Sequence, residues 1–350
     1  MANGEPRERI GVDYGVFRHC EGFNCDLPYI PCNHATPPLY VEEVDPTTGK
    51  MTSKSNWKTL DFIRFIANIV CQNVCYMFVL AYLLIEYAPQ DSVINLLFYG
   101  LARGANMFFL NMMYAELTGA YVNPFVTLAV WAAWWLTYRT AQEDMMSEGK
   151  KNEDNAKIEI APAPAGYELL KGLIVWIFSF GGLWLGILFV WLTFIGPGPY
   201  AGFDFGSPIF VGGLSSGTFT NGVVLSTWQG IVREGLATLM LTGVTLFAHS
   251  DPRVRNHSTL AAIHIAGVYV LVSFLFGQTT NAIMNPFYWL VTRLLNISGG
   301  DGFGLTLQGF LVYVVGPAGG ALVGFLLFLI RHLYLQWACA SPVCVIYNRV

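Results

Sequence analysis

Apolar and polar residues occur along this chain in long blocks rather than in short alternations. After a polar beginning, six apolar runs cover approximately residues 60–86, 92–116, 168–195, 223–249, 258–277 and 306–334. At about 1.5 Å of rise per residue, a helix of this length crosses the roughly 30 Å of hydrocarbon in a bilayer. The pattern therefore predicts an all-α membrane protein with six transmembrane helices.

Two shorter apolar pieces, approximately residues 123–138 and 285–297, are too short to span. Each begins with an Asn-Pro pair, and proline suits the first turn of a helix, where its missing N–H costs nothing. A short helix that begins at membrane depth is tolerated only where it is buried in protein or lines a cavity. We therefore expect two re-entrant half-helices.

The half-helices divide the chain into two similar halves. One follows the second span and the other follows the fifth, and the two Asn-Pro pairs are 162 residues apart (285 − 123). Because each half has three spans, the second half inserts upside down relative to the first. Inverted repeats whose discontinuous helices meet near the midplane are a recurrent transport architecture.

Positive charge indicates one orientation. Lys50, Lys54, Lys58 and Arg64 precede or begin the first span, Arg253 and Arg255 follow the fourth, and Arg331 ends the sixth, whereas residues 194–222 carry Asp204 alone. The positive-inside rule then predicts that both termini are cytoplasmic or on the equivalent face of an organelle. The expected divisions are a polar extension (1–56), a channel domain (57–335, with halves of about 57–195 and 223–335 and a polar linker at 139–166) and a tail (336–350).

Composition narrows the class of protein. Hydrophobic residues make up 54% of the chain and charged residues 12%, against about a quarter in soluble domains. The net charge of −4 does not indicate nucleic acid as a partner. The sequence has no phosphate-binding glycine loop, nucleophile elbow or His/Glu zinc pair, so we expect neither an enzyme nor a cofactor. The expected partner of the six apolar helices is the lipid bilayer.

Several motifs resemble those of the aquaporin/major intrinsic protein family. ELTGAYVNPFVTLAV (116–130) is similar to its first signature, H-[IV]-S-G-A-H-x-N-P-A-V-T, and QTTNAIMNPFYWLVT (278–292) to its second, G-x-x-x-N-P-A-R-S. FLVYVVGPAGGALVGFLLF (310–328) resembles the sixth-span pattern. The resemblance covers roughly residues 60–335 and implies a homotetramer with one pore per subunit. Membership of a larger membrane complex is also open.

The resemblance assigns roles to particular residues. Asn123 and Asn285 would offer amide donors to a solute oxygen at the meeting point of two positive half-helix ends, with Pro124 and Pro286 beginning those helices. Glu234 would hold backbone N–H groups before the second half-helix. In the first span only Asn68 and Gln72 are available for the equivalent brace.

This chain departs from the family at the constriction. Phe125 and Phe287 replace alanine after each Asn-Pro, and Tyr288 stands where arginine is usual. Counting without gaps, the other filter positions become Arg103, Ser273 and Ala282. We expect Arg103 to supply the missing charge; the alternative is an arginine that snorkels to the interface. Phe125 and Phe287 could themselves close the pore.

Two simpler interpretations accompany these assignments. Asn123 and Asn285 could each cap a helix and do nothing more, although capping and lining a pore are compatible. In the extension, Cys20, Cys25, Cys32 and His34 are weak candidates for a metal site, because their spacing lacks paired C-x2-C knuckles.

The sequence therefore predicts a passive channel for water or a small neutral solute such as glycerol. The alternative is a subunit that keeps the channel fold but serves as a non-conducting structural part of a larger membrane assembly. The two Asn-Pro-Phe motifs, and the tyrosine at position 288 where the family has arginine, favour this alternative.

Overall fold

The fold is taken from a computed structural model. It describes residues 40–44, 51–55, 59–86, 93–120, 122–133, 161–162, 165–194, 226–250, 258–295 and 307–340. Structural statements below refer to these residues. The cysteines and histidine of the extension lie outside them, as does most of the predicted linker.

Six long helices are apolar and long enough to cross a membrane, as predicted. They are α1 (Thr59–Glu86), α2 (Val93–Thr118), α4 (Ala165–Phe194), α5 (Thr227–Ser250), α6 (Ser258–Thr280) and α8 (Leu307–Ala340). Two short helices, α3 (Pro124–Ala133) and α7 (Pro286–Leu295), follow the second and fifth of these. The protein is therefore an integral multi-pass membrane protein.

The long helices pack in three main pairs, α5 with α8, α2 with α6, and α1 with α4. Large apolar side chains remain exposed on the outside, among them Ile177, Leu192 and Leu333. In water such a surface would be unfavourable, whereas against lipid it costs nothing. Several buried polar side chains, among them Asn123, Asn285 and Glu234, lie where the two short helices begin.

Glycines set the close approach of α5 and α8. A Cβ atom built on Gly316 would lie 2.8 Å from the Ile231 carbonyl oxygen, and one on Gly320 would overlap the Gly235 carbonyl oxygen. Because these neighbours are backbone atoms, they cannot rotate away. Small residues at four-residue spacing allow this kind of backbone contact between membrane helices.

Gly320→Ala should therefore destabilise the protein by about 1–3 kcal/mol, the usual cost of overpacking a tight interface. Gly319 is the matched control, since a Cβ there meets nothing within 4 Å. Thermal unfolding in detergent should show a lower midpoint for Gly320→Ala and no loss for Gly319→Ala. Equal midpoints for the two variants would contradict the close contact.

Three short strands lie outside the spans and were not predicted. β1 (Tyr40–Val44) pairs antiparallel with β2 (Met51–Ser55) and with β3 (Ala161–Pro162), in the order β2-β1-β3. The sequence DPTTGK between β1 and β2 has the composition of a turn. The pairing joins the end of the extension to the end of the stretch that we interpreted as a linker.

A π-helical turn, Leu311–Val315, interrupts the start of α8. Gly316 donates its backbone N–H to the Leu311 carbonyl, a bond one residue longer than in an α-helix. Pro317 follows and has no N–H to donate to the preceding turn, which favours this local change of pitch.

Candidate channel site

The two half-helices begin with the same capping geometry. The Asn123 side-chain oxygen accepts hydrogen bonds from the backbone N–H groups of Phe125 (3.0 Å) and Val126 (3.4 Å). The Asn285 oxygen accepts one from Phe287 (3.0 Å). Each asparagine thus caps its helix, an interaction typically worth about 1 kcal/mol.

The same two side chains also join the halves. The Asn123 amide nitrogen donates to the Met284 carbonyl (2.9 Å), and the Asn285 amide nitrogen donates to the Val122 carbonyl (2.7 Å). Each asparagine therefore holds the residue that precedes the other asparagine. Capping alone does not account for these reciprocal bonds, which bring the positive ends of α3 and α7 together.

Glu234 holds the loop before the second half-helix. Its two carboxylate oxygens accept hydrogen bonds from the backbone N–H groups of Ile283 (3.1 Å) and Met284 (2.6 Å). Glu234 is fully buried, so these two N–H groups replace the water that its carboxylate would otherwise bind. Asn281, Ala282 and Met284 have φ angles of 57°, 47° and 59°. This left-handed loop is unfavourable for residues with a Cβ and needs such bonds to persist.

Gln72 occupies the equivalent place in the first half. It precedes Glu234 by 162 residues (234 − 72), the same separation as the two asparagines. The Thr118 hydroxyl donates to the Gln72 side-chain oxygen and accepts a bond from the Ala120 N–H (3.3 Å). Asn68, the other candidate brace, donates instead to the Arg64 carbonyl on its own helix. The first loop is thus held by a neutral relay and the second by a carboxylate.

Arg103 lies inside the protein, 1% exposed, so the snorkelling alternative is wrong. Its Nη1 atom donates to the carbonyl of Asn281 (3.1 Å) and lies within bonding distance of the Ser273 hydroxyl (3.4 Å). Its Nη2 atom donates to the Ile283 carbonyl (3.4 Å). The guanidinium therefore binds the loop that leads into α7.

Two tyrosines enclose this guanidinium. Its central carbon lies 5.6 Å from the ring centre of Tyr99 and 5.2 Å from that of Tyr269, within the range of cation–π attraction. The Tyr99 hydroxyl also donates to the Asn281 carbonyl (2.8 Å). Sequence reasoning missed both rings, although each lies four residues before a proposed filter residue and hence on the same helix face.

The four proposed filter residues differ in what they contact. Ser273 contacts Arg103, while Ala282 contributes backbone, since it lies between the two carbonyls that Arg103 binds. Tyr288 is fully buried, and its hydroxyl has no partner among the described residues. Arg103 and Ser273 are therefore the pair whose side chains meet.

Phe125 and Phe287 both point toward α4 and α8. Phe287 packs edge-on against Trp176 and Phe180 of α4, with ring centres 6.1 and 5.6 Å apart. Both phenylalanines line an apolar cavity of about 630 Å³ whose other walls come from α4, α7 and α8. The rings extend from the half-helices toward α4 and α8, and their closing of the pore stays a prediction.

Asn123 faces a different space. It lines a cavity of about 20 Å³, room for one water molecule, with Asn111 of α2, Thr245 of α5 and Tyr269 of α6. The half-helix junction thus has one side formed with α2, α5 and α6, and another formed with α4 and α8. Asn123 and Phe125 line different cavities on these two sides, as expected for residues two positions apart.

Comparison with known proteins agrees with this geometry. Residues 166–328 match the family model described as Major intrinsic protein. The fold is similar to that of the aquaglyceroporin from Plasmodium falciparum, with a TM-score of 0.52 and 17% sequence identity over 83% of this chain and 100% of that one. The chain is thus similar to the major intrinsic protein family over these residues, which make up slightly less than half of its length. No curated protein matches it by sequence.

Members of the major intrinsic protein family are channels for water or small solutes, not enzymes. The family match begins at α4 and includes Glu234 and the second Asn-Pro, but not the first. Groups of three or more possible metal-binding side chains are absent from the described residues. The candidates Cys20, Cys25, Cys32 and His34 lie outside that part of the chain.

Proposed function

We propose that this protein is a passive channel for water or a small neutral solute such as glycerol, and that the solute passes between Asn123 and Asn285. The reciprocal bonds between the two asparagines and the opposite loops carry this proposal. They fix two amide groups and two positive helix ends around one point. That arrangement suits a solute oxygen and repels cations.

Hydrogen-bond donors that remain unused at the junction support the proposal that the solute presents oxygen atoms. An amide nitrogen carries two N–H groups, and one is engaged in the contacts described for each asparagine. Arg103 Nε has no partner among the described residues. Arg103 would provide the positive charge that arginine supplies from the second signature in the family. Glycerol is included because the similar Plasmodium falciparum protein is an aquaglyceroporin.

A second candidate is a subunit that keeps this fold without conducting. Its support is the burial of the side chains around the junction: Tyr76, Arg103 and Asn285 are each 1% exposed, so a sphere of water size hardly reaches them. A conducting protein must move some of these groups. Under either function we propose a homotetramer with cytoplasmic termini, in which residues 57–335 form the channel domain between the extension and the tail.

The two candidates differ in flux. Liposomes that contain the purified protein should shrink faster than protein-free liposomes in a hyperosmotic stopped-flow experiment. An impermeant osmolyte measures water permeability, and a second experiment with glycerol as the osmolyte measures glycerol permeability. Faster shrinkage, with glycerol re-entry that exceeds the protein-free control, supports the channel. Rates equal to those of protein-free liposomes for both permeants would instead support the structural subunit.

A further inference from the structure

One peptide group of the second loop lies between two buried charges. The carbonyl of Ile283 accepts a hydrogen bond from Arg103 Nη2 (3.4 Å), and the N–H of Met284 donates to Glu234 Oε2 (2.6 Å). These two atoms belong to the same peptide unit. In a trans peptide the N–H and C=O point in opposite directions, so the cation and the anion lie on opposite sides of the loop.

Neighbouring groups repeat this arrangement. The N–H of Ile283 donates to Glu234 Oε1 (3.1 Å), while the carbonyl of Asn281 accepts from Arg103 Nη1 (3.1 Å) and from Tyr99 (2.8 Å). Each charge thus meets the peptide atoms of opposite partial charge. A peptide dipole of about 3.5 D aligned between two charges is stabilised by both, and each bond polarises the other.

Neither charge has another described partner of opposite sign in hydrogen-bond contact. Arg103 binds carbonyls and hydroxyls, and Glu234 accepts the two backbone N–H groups. Both residues are almost completely buried. A buried charge without a counterion is strongly unfavourable, and here each has the other across a single loop.

We propose that Arg103 and Glu234 are mutual counterions that act through the Ile283–Met284 peptide group. Arg103 is then a positioning residue for the second half-helix as well as a wall of the candidate filter. The loop that they hold contains three non-glycine residues in the left-handed region and leads directly to Asn285. Loss of one charge leaves the other unbalanced, whereas loss of both restores neutrality.

A double-mutant cycle tests this coupling without any measurement of flux. Arg103→Gln and Glu234→Gln should each lower the thermal unfolding midpoint of the purified protein. The double variant should lose less than the sum of the two, by about 2 °C or more. Arg103→Lys keeps the charge and should retain more stability than Arg103→Gln. Hydrogen exchange at residues 281–285 should be faster in each single variant than in the double variant.

Arg331 provides the matched control, since it is an exposed arginine of α8, nine residues before that helix ends at Ala340. Arg331→Gln combined with Glu234→Gln should be additive. If a single variant does not fold but the double variant does, that rescue supports the coupling. Additive losses at 103 and 234, or a double variant that also fails to fold, would overturn it, and neither result depends on whether the channel conducts.

Discussion

Replacing Glu234 by alanine is expected to prevent the protein from accumulating in folded form, or to cost about 3–5 kcal/mol of stability if it folds. The change leaves two buried N–H groups, of Ile283 and Met284, without acceptors. Each orphaned donor costs about 1–3 kcal/mol. It also removes the proposed counterion of Arg103. The measurements are the yield of monodisperse protein and its thermal unfolding in detergent.

Gln72→Ala is the matched comparison, because position 72 is the equivalent of 234 in the first half. The lost group there is neutral and acts through the Thr118 hydroxyl, so a loss of about 1 kcal/mol is expected. The two variants should therefore differ clearly in yield and in unfolding midpoint. Similar behaviour would mean that the carboxylate contributes no more than an amide.

Removing the guanidinium of Arg103 should raise water permeability per protein by about tenfold or more. In the structure Arg103 occupies the carbonyls of Asn281 and Ile283, which a passing solute would otherwise use as acceptors. Displacing a hydrogen bond to a charged group costs about 1.5–3 kcal/mol, and each 1.4 kcal/mol of barrier is a factor of ten in rate. Arg103→Ala should also admit larger neutral solutes or leak ions.

Stopped-flow measurements on liposomes would test this expectation with Arg331→Ala as a control that leaves the junction intact. The Arg103→Gln/Glu234→Gln double variant is measured beside them, because it lacks the guanidinium while the loop stays electrically balanced. Raised flux in both Arg103 variants and none in the control is the expected result. Unchanged permeability in both would show that Arg103 does not limit passage.

The spans and half-helices could be predicted because the bilayer imposes one rule on all of them. Twenty or more apolar residues must form a spanning helix, and an Asn-Pro start at membrane depth must begin a half-helix. The ungapped count along α2 and α6 named Arg103 and Ser273 as members of one filter, and their side chains lie 3.4 Å apart. Residue spacing along a continuous helix fixes position, which is why two residues on separate helices could be paired by counting.

Side-chain direction was harder to predict. Phe125 and Phe287 follow the pore asparagines by two residues, and a turn of about 100° per residue takes them to another face of the half-helix. Sequence does not reveal which face meets α4. Tyr76 and Tyr269 lie among apolar residues in the sequence, and no motif distinguishes them from other core aromatics. Gln72 was recognised as a possible brace. Its separation of 162 residues from Glu234 identifies the two as equivalent positions only once the structure shows that both hold a loop.

The strand pairing could not be predicted either. β3 joins β1 across more than a hundred residues and consists of the two residues Ala161–Pro162. A strand of two residues carries no periodic signal. Partners so far apart in sequence are brought together by the placement of α1 and α4, which pack on each other.

The glycine contact between α5 and α8 also constrains how fast the closed junction could open. Helices that touch through backbone atoms at Gly235 and Gly320 cannot slide past each other without losing that contact. Collective helix motions take microseconds to milliseconds, whereas a side chain changes rotamer in picoseconds to nanoseconds. Arg103 belongs to the α2–α6 pair, so its guanidinium can leave the loop carbonyls while α5 and α8 stay fixed. Passage would then be paced by the lifetime of a few hydrogen bonds.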